Sequence, residues 1–234
     1  MPKVKSPKSS SNSSRKTCPN SMTRKNKTTE AAKRRYNRVA PVYDLMESLV
    51  ERSRYSKWRE ILWGKVEGTN ILEAGVGTGK NFPYYPEEVE ITAIDFSEKM
   101  LGHAIEKAEK QMVKVNLQQM DVQNLEFEDN TFDSVVASFV FCSVPDPVRG
   151  LTEVKRVCKP GGKVLLLEHV LSANRILAWL MHLVNPIVVR TMGLNINRRT
   201  VENVIKSRLR IEQVTDLAAG IFKLIEARKE RLHS

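Results

Sequence analysis

Apolar and polar positions alternate along this chain between short, wholly apolar runs and amphipathic stretches. The pair Ile71-Leu72, the run 91–95, the segment around Leu117, the run 132–140 and Val164-Leu165-Leu166-Leu167 read as strands, that at 132–140 as one buried on both faces. Leu45, Leu49, Trp58, Ile61 and Leu62 recur at helical spacing, which predicts a helix over about 45–66 that ends at Gly68. A second amphipathic stretch opens after Ser97, a suitable N-cap with Met100 at its third position, and others cover 148–157 and the residues after Asn195–Thr200. Pro83 and Pro86 leave room for only a short helix at 81–86. Pro160-Gly161-Gly162 is a turn, a fixed φ followed by free ones. Two last strands, 211–214 and 221–227, close the pattern. Strands alternating with helices predict an α/β domain with a mainly parallel sheet.

The two ends of this pattern behave differently. Residues 1–29 are rich in Lys, Ser, Asn and Pro with only Val4 and Met22 as sizeable aliphatics, so the segment is expected to stay disordered. From Glu30 a helix signal runs to Ala40-Pro41, where the residue before proline resists helix. The domain is therefore set at 30–234, with a helical cap at 30–66 and an apolar insertion at 171–200. Within that insertion, 171–189 is too short and too interrupted by Asn185-Pro186 to span a bilayer. It fits an acceptor pocket, a membrane surface or ordinary core packing.

Composition changes the picture once charge is divided along the chain. The 234 residues carry a net charge of +11, which on its face points to nucleic acid. Of the 38 Lys/Arg, however, 12 lie in 1–39 together with a single acid, Glu30, which leaves 26 bases against 26 acids in the remainder. The folded body is neutral, and a nucleic-acid reader is not expected there. The tail itself suits a plain solvated segment, with a weak tether to anionic lipid or to RNA as the alternative. Cys18, Cys142 and Cys158 have neither metal-site nor disulfide spacing, and no metal is expected. With no secretory apolar region either, the body reads as cytoplasmic.

Candidate chemistry centres on residues 70–81, Asn-Ile-Leu-Glu-Ala-Gly-Val-Gly-Thr-Gly-Lys-Asn. Glycines at this density let a backbone turn sharply and approach a ligand where a Cβ would clash. A strand leading through such a loop is how α/β proteins hold nucleotide-like ligands. A phosphate-cradling loop is excluded, because Ala74 stands where its first glycine belongs and Asn81 where its hydroxyl belongs. A dinucleotide fingerprint is excluded because its third glycine falls on Lys80. What remains is Glu-x-Gly-x-Gly-x-Gly. Asp95 lies 20 residues beyond Gly75 at the end of a strand, where one carboxylate can accept from both hydroxyls of a ribose.

This pattern resembles motif I of the class I S-adenosylmethionine (SAM) methyltransferases. Tyr36-x3-Ala40-x2-Tyr43-Asp44 and Arg156-Val157-x-Lys159-Pro160-Gly161-Gly162 are similar to segments of the ubiquinone/menaquinone and phospholipid-methylating members. Cys142-Ser143-Val144 and Glu168-His169-Val170 resemble enzymes that methylate alkyl thiols. The resemblance covers about 30–229. It implies a Rossmann-like seven-stranded, mostly parallel sheet with helices on both faces and a C-terminal antiparallel hairpin.

It also implies SAM as cofactor. Glu73 would face the cofactor's cationic amino-acid end across Gly75, Gly77 and Gly79, and Asp95 would take the ribose. Met100 would pack on the adenine, Asp121 would accept from its amino group beside the Val122 backbone, and Phe96 and Ser138 would complete the site. Met100 as core filler and Asp121 as a turn residue are the competing readings. Tyr36, Tyr43, Phe141 and Cys142 are the acceptor-side candidates, the tyrosines also being compatible with plain packing.

His169 ends a strand on the ligand-facing edge and is the candidate general base, with a satisfied structural histidine as the alternative. Cys142 as a covalent nucleophile is disfavoured, since no Pro-Cys motif surrounds it, and the absence of Asn/Asp-Pro-Pro-Tyr/Phe disfavours adenine amine methylation. The expected activity is methyl transfer from SAM to a small or lipid-like acceptor, with peripheral membrane contact. An RNA-associated role for the basic tail is the alternative.

Overall fold

The computed structural model describes residues 55–192 and 194–231. The basic tail, the helix signal at 30–40 and both Tyr36 and Tyr43 lie outside them.

Seven strands form one sheet in the order β3-β2-β1-β4-β5-β7-β6. They are β1 (Asn70–Ala74), β2 (Glu90–Asp95), β3 (Asn116–Gln119), β4 (Phe132–Ser138), β5 (Cys158–His169), β6 (Arg210–Ala218) and β7 (Phe222–Arg228). The first five run parallel, and β7 is antiparallel to both β5 and β6. The chain thus ends in the hairpin expected, with its second strand inserted beside β5.

Alternation along the buried strands sends successive side chains to opposite faces, and each face has its own helices. Leu72, Val135, Val164 and Leu166 pack with Leu151 and Val154 of α3 (Pro147–Val157) and Val204 of α5 (Thr200–Lys206). Ile71, Val136, Leu165 and Leu167 pack with Leu62 and Trp63 of α1 (Ser56–Trp63) and Leu101 and Ala104 of α2 (Glu98–Gln111). Ser97 caps α2 by accepting from the Met100 N–H at 3.3 Å, and Asp146 caps α3 through the Arg149 N–H at 3.1 Å.

Among the boundaries that differ from the sequence expectation, three concern α1, β5 and the apolar insertion. α1 stops at Trp63, where Lys65 and Val66 bond three residues back and tighten the last turn. β5 begins at Cys158 and carries Pro160-Gly161-Gly162 inside it, as its pairing with β4 steps from Phe132 to Ser134. The third lies in the apolar insertion, where α4 (Arg175–Met192) continues through Pro186. Pro186 sits on the exposed side, where water can serve the carbonyl that loses its donor. No helix among the described residues is long and apolar enough to cross a membrane.

β1 has β2 on one side and β4 on the other, so the connections reverse direction there. A crevice opens beyond the carboxyl ends of strands at such a point.

Candidate active site

A cavity of about 850 Å³, open mouth included, occupies that crevice. Its first wall is the glycine loop. Gly75, Gly77 and Gly79 all have positive φ, +78°, +56° and +75°. A Cβ on Gly75 would overlap Val140, and one on Gly79 would overlap the Phe82 ring, whereas one on Gly77 would meet nothing within 4 Å. Gly77 therefore leaves backbone open to the cavity. Gly77→Ala is expected to cost about 1–2 kcal/mol in stability for its left-handed φ. Its methyl fills ligand space, so SAM affinity should fall by at least roughly tenfold. Thermal melts and calorimetry on the same sample separate the two effects.

Asp95 joins the loop to the second wall. Its Oδ2 accepts from the Gly77 N–H at 2.9 Å and its Oδ1 from the Ser97 N–H at 2.8 Å. Burial pushes the carboxyl up to about 6, and the N–H groups of Ser97 and Gly77 hold it from rising further. Phe96, Met100, Asp121 and Val122 line the cavity with it. Met100 is also buried, as the core reading expects. Asp121 also holds a turn, as Gln123 donates its backbone N–H to Oδ1 at 2.9 Å and its amide at 3.0 Å to Oδ2.

Glu73 is placed differently from the expectation. It is fully buried and does not line the cavity; its carboxylate accepts from Tyr85 Oη and Asn81 Nδ2 beneath the loop. Burial raises it to about 7, against the hydrogen bonds of Tyr85 and Asn81. Asn81 passes the interaction on. Its Oδ1 accepts from Arg59 Nη1 at 2.7 Å, and Ser138 Oγ takes Arg59 Nη1 at 3.0 Å and Asn81 Nδ2 at 2.9 Å. Arg59 is 4% exposed, lines the cavity and lies 5.5 Å from the Phe139 ring centroid. A guanidinium there matches a carboxylate of the ligand's amino-acid end. Glu73 orients this group from below, and sequence reasoning missed Arg59.

The third wall leaves β4. Phe139, Val140, Ser143, Val144 and Pro145 line it. Phe139 has φ +59°, rare for a bulky residue, and that bend ends β4 at Ser138 before the expected 140. Phe141 and Cys142 point inward instead. Phe141 is fully buried in the core, and burial drives the Cys142 thiol well above its usual value while its Sγ donates to the Phe139 carbonyl at 3.3 Å. Neither lines the cavity.

His169 does not reach the cavity either. Its ring meets Phe222 edge to face at 5.0 Å, its Nδ1 is buried without a hydrogen-bond partner, and burial lowers its pKa. The neighbouring Glu168 does more. It is fully buried and its Oε1 accepts from the Val140 and Phe141 N–H groups, both at 2.9 Å, clamping the third wall.

The site therefore combines an open glycine edge, a carboxylate for a diol, a second carboxylate, apolar faces and a buried cation. That inventory fits adenosine joined to a zwitterionic amino acid.

Comparisons with known proteins agree. A family model described as a methyltransferase domain matches residues 72–166. The chain is 41% identical over 142 residues to a phosphatidylethanolamine N-methyltransferase of Cereibacter sphaeroides, covering 60% of this chain and 68% of that one. It is 33% identical over 145 residues to a ubiquinone/menaquinone biosynthesis C-methyltransferase of Bdellovibrio bacteriovorus, covering 59% of this chain and 62% of that one. Its fold is similar to that of a SAM-dependent methyltransferase from Thermotoga maritima described as a possible histamine N-methyltransferase. The TM-score is 0.66 at 20% identity, covering 83% of this chain and 98% of that one. The chain belongs to the SAM-dependent methyltransferase family.

Proposed function

We propose that the protein transfers a methyl group from SAM to a lipid-like acceptor that reaches the cavity along its third wall. The observation that carries this reading is that wall itself: Phe139, Val140, Val144 and Pro145 present apolar surface beside the open edge of Gly77. The relatives named for phosphatidylethanolamine and for quinone precursors support the same acceptor class. The second of them extends well beyond the part this chain matches.

SAM, when bound, supplies an electrophilic methyl group. The protein's share is to bind and orient. Asp95 would accept from the ribose hydroxyls and Asp121 from the adenine amino group. Met100 and Val122 would sandwich the ring, and Arg59 would hold the terminal carboxylate. Catalysis is then positioning of the acceptor in line with the methyl–sulfur bond. Asp95 and Asp121 are the carboxylates lining the cavity among the described residues, and in this reading both serve the cofactor. An acceptor that is already nucleophilic, such as an unprotonated amine, suits this site without a general base.

Incubating the protein with methyl-labelled SAM and a total lipid extract tests the reading. Label in phospholipid or quinone is the expected result. Label in added RNA but in no lipid would overturn it in favour of an RNA-directed enzyme working through the 1–39 charge.

A further inference from the structure

We propose that the outer face of α4 docks the protein on an anionic lipid bilayer; the inference rests on the lipid-acceptor reading above. Ile176, Trp179, Leu180, Leu183, Val184 and Ile187 fall at intervals of three and four along α4, one continuous stripe about 16 Å long. All six are exposed, Ile176 at 80% and Trp179 at 65%. The opposite side is apolar too, with Met181 buried against the body. An apolar stripe of this size facing outward, with Trp at its edge, matches a helix lying in a membrane interface.

Charge selects the occupant. From 169 to 201 the chain contains Arg175, Arg190, Arg198 and Arg199 and neither Asp nor Glu; Arg199 pairs with Glu202 at 3.0 Å and Arg198 holds the Val144 carbonyl, while Arg175 and Arg190 lie exposed on α4 itself. Residues 1–39 add 12 cations and one acid. A second copy packed on α4 would bring together the Arg175 and Arg190 charges of both copies, with no acid on the helix to answer them. An anionic surface answers both the arginines and the tail, and two weak signals together give firm attachment where either alone does not.

The position of α4 ties docking to the site. Asn185 Oδ1 on α4 accepts from the Ile196 N–H at 2.9 Å. The same connection reaches the third wall, where the Asn195 N–H donates to the Cys142 carbonyl at 2.9 Å and Arg198 Nη2 to the Val144 carbonyl at 2.9 Å. A bilayer against α4 therefore lies beside the cavity rim.

Tryptophan fluorescence of the full chain reads this directly, because Trp58 and Trp63 are buried and Trp179 is exposed. Vesicles containing phosphatidylglycerol should shift emission to the blue, and pure phosphatidylcholine vesicles should do so much less. Trp179→Phe should lose the shift yet still sediment with the vesicles. Leu183→Glu with Ile187→Glu should weaken sedimentation at least about tenfold while calorimetric SAM binding stays unchanged, which shows that the domain is folded. Unchanged sedimentation of that double variant would overturn the proposal. So would a Trp179 emission already blue and shielded from acrylamide before vesicles are added, since a second copy or residues 40–54 would then cover α4. No turnover is needed, so docking without lipid methylation would defeat the acceptor reading alone.

Discussion

Asp95→Ala is expected to weaken SAM binding by at least about 100-fold in calorimetry. Two backbone donors, Gly77 N–H and Ser97 N–H, end on its carboxylate, and each hydrogen bond to a charged group contributes about 1.5–3 kcal/mol. Losing both frees the glycine edge that must lie against the ligand, and the acceptor for the ribose hydroxyls goes with it. Asp95→Asn keeps one oxygen and should fall in between, near tenfold. The pH dependence has two opposite signs. Burial raises the carboxyl from 3.8 to about 6, so its contribution to folding is fully present below the unfolded value and is lost as pH rises through about 6. Ligand hydroxyls favour the ionised form, so SAM affinity should instead increase over the same interval. Affinity that is flat from pH 5 to 7.5, or an alanine variant that binds within twofold of the parent, would remove Asp95 from the cofactor site.

The parts of this site that could be read from sequence are those whose meaning is local. The glycine spacing, the carboxylate ending β2 and the Ser97 cap each depend on backbone within a few residues, and the structure places Gly75, Gly77 and Asp95 on the cavity and Ser97 at the start of α2. β4 and β5 are legible because burial on both faces leaves apolar runs.

What escaped depends on distance along the chain. Arg59 looks like an ordinary polar position on an amphipathic helix, and its partners Asn81 and Ser138 lie 22 and 79 residues away. A cation one turn before two tryptophan-flanked apolar positions was the only local hint. The motif resemblance directs Glu73 to the ligand but does not give its depth; Tyr85 and Asn81 intercept it. Phe141 and Cys142 were set on the cavity side because the bend at Phe139, which turns them inward, leaves no trace in residue type. The strand end leaves His169 open as a base or as a structural histidine, and Phe222, which comes from the far hairpin to cover its ring, favours the second.

Glu168→Gln should raise stability at pH 8 and leave it nearly unchanged at pH 5. Burial pushes this carboxyl from 4.5 up to about 7, with the Phe141 and Val140 N–H groups and Arg198 pulling partly back. A carboxyl raised in the folded state stabilises fully below its unfolded value, and that stability drains away as pH climbs through about 7. The shift corresponds to about 3 kcal/mol, and for a chain of this size to a melting difference on the order of 5–10 °C at pH 8. Its Oε2 is buried with no partner, the place for the proton at low pH and for the amide nitrogen in the variant. Oε1 is kept as acceptor for the third wall, so glutamine should preserve SAM binding. Glu168→Ala strands both N–H groups, each a loss of about 1–3 kcal/mol, and should be the weaker protein at every pH. Glu73 and Asp95 are raised for the same reason, so the parent itself should melt progressively lower from pH 5 to 8. If glutamine left that slope unchanged, Glu168 would have to be ionised throughout the range, and the Arg198 charge rather than burial would govern the wall.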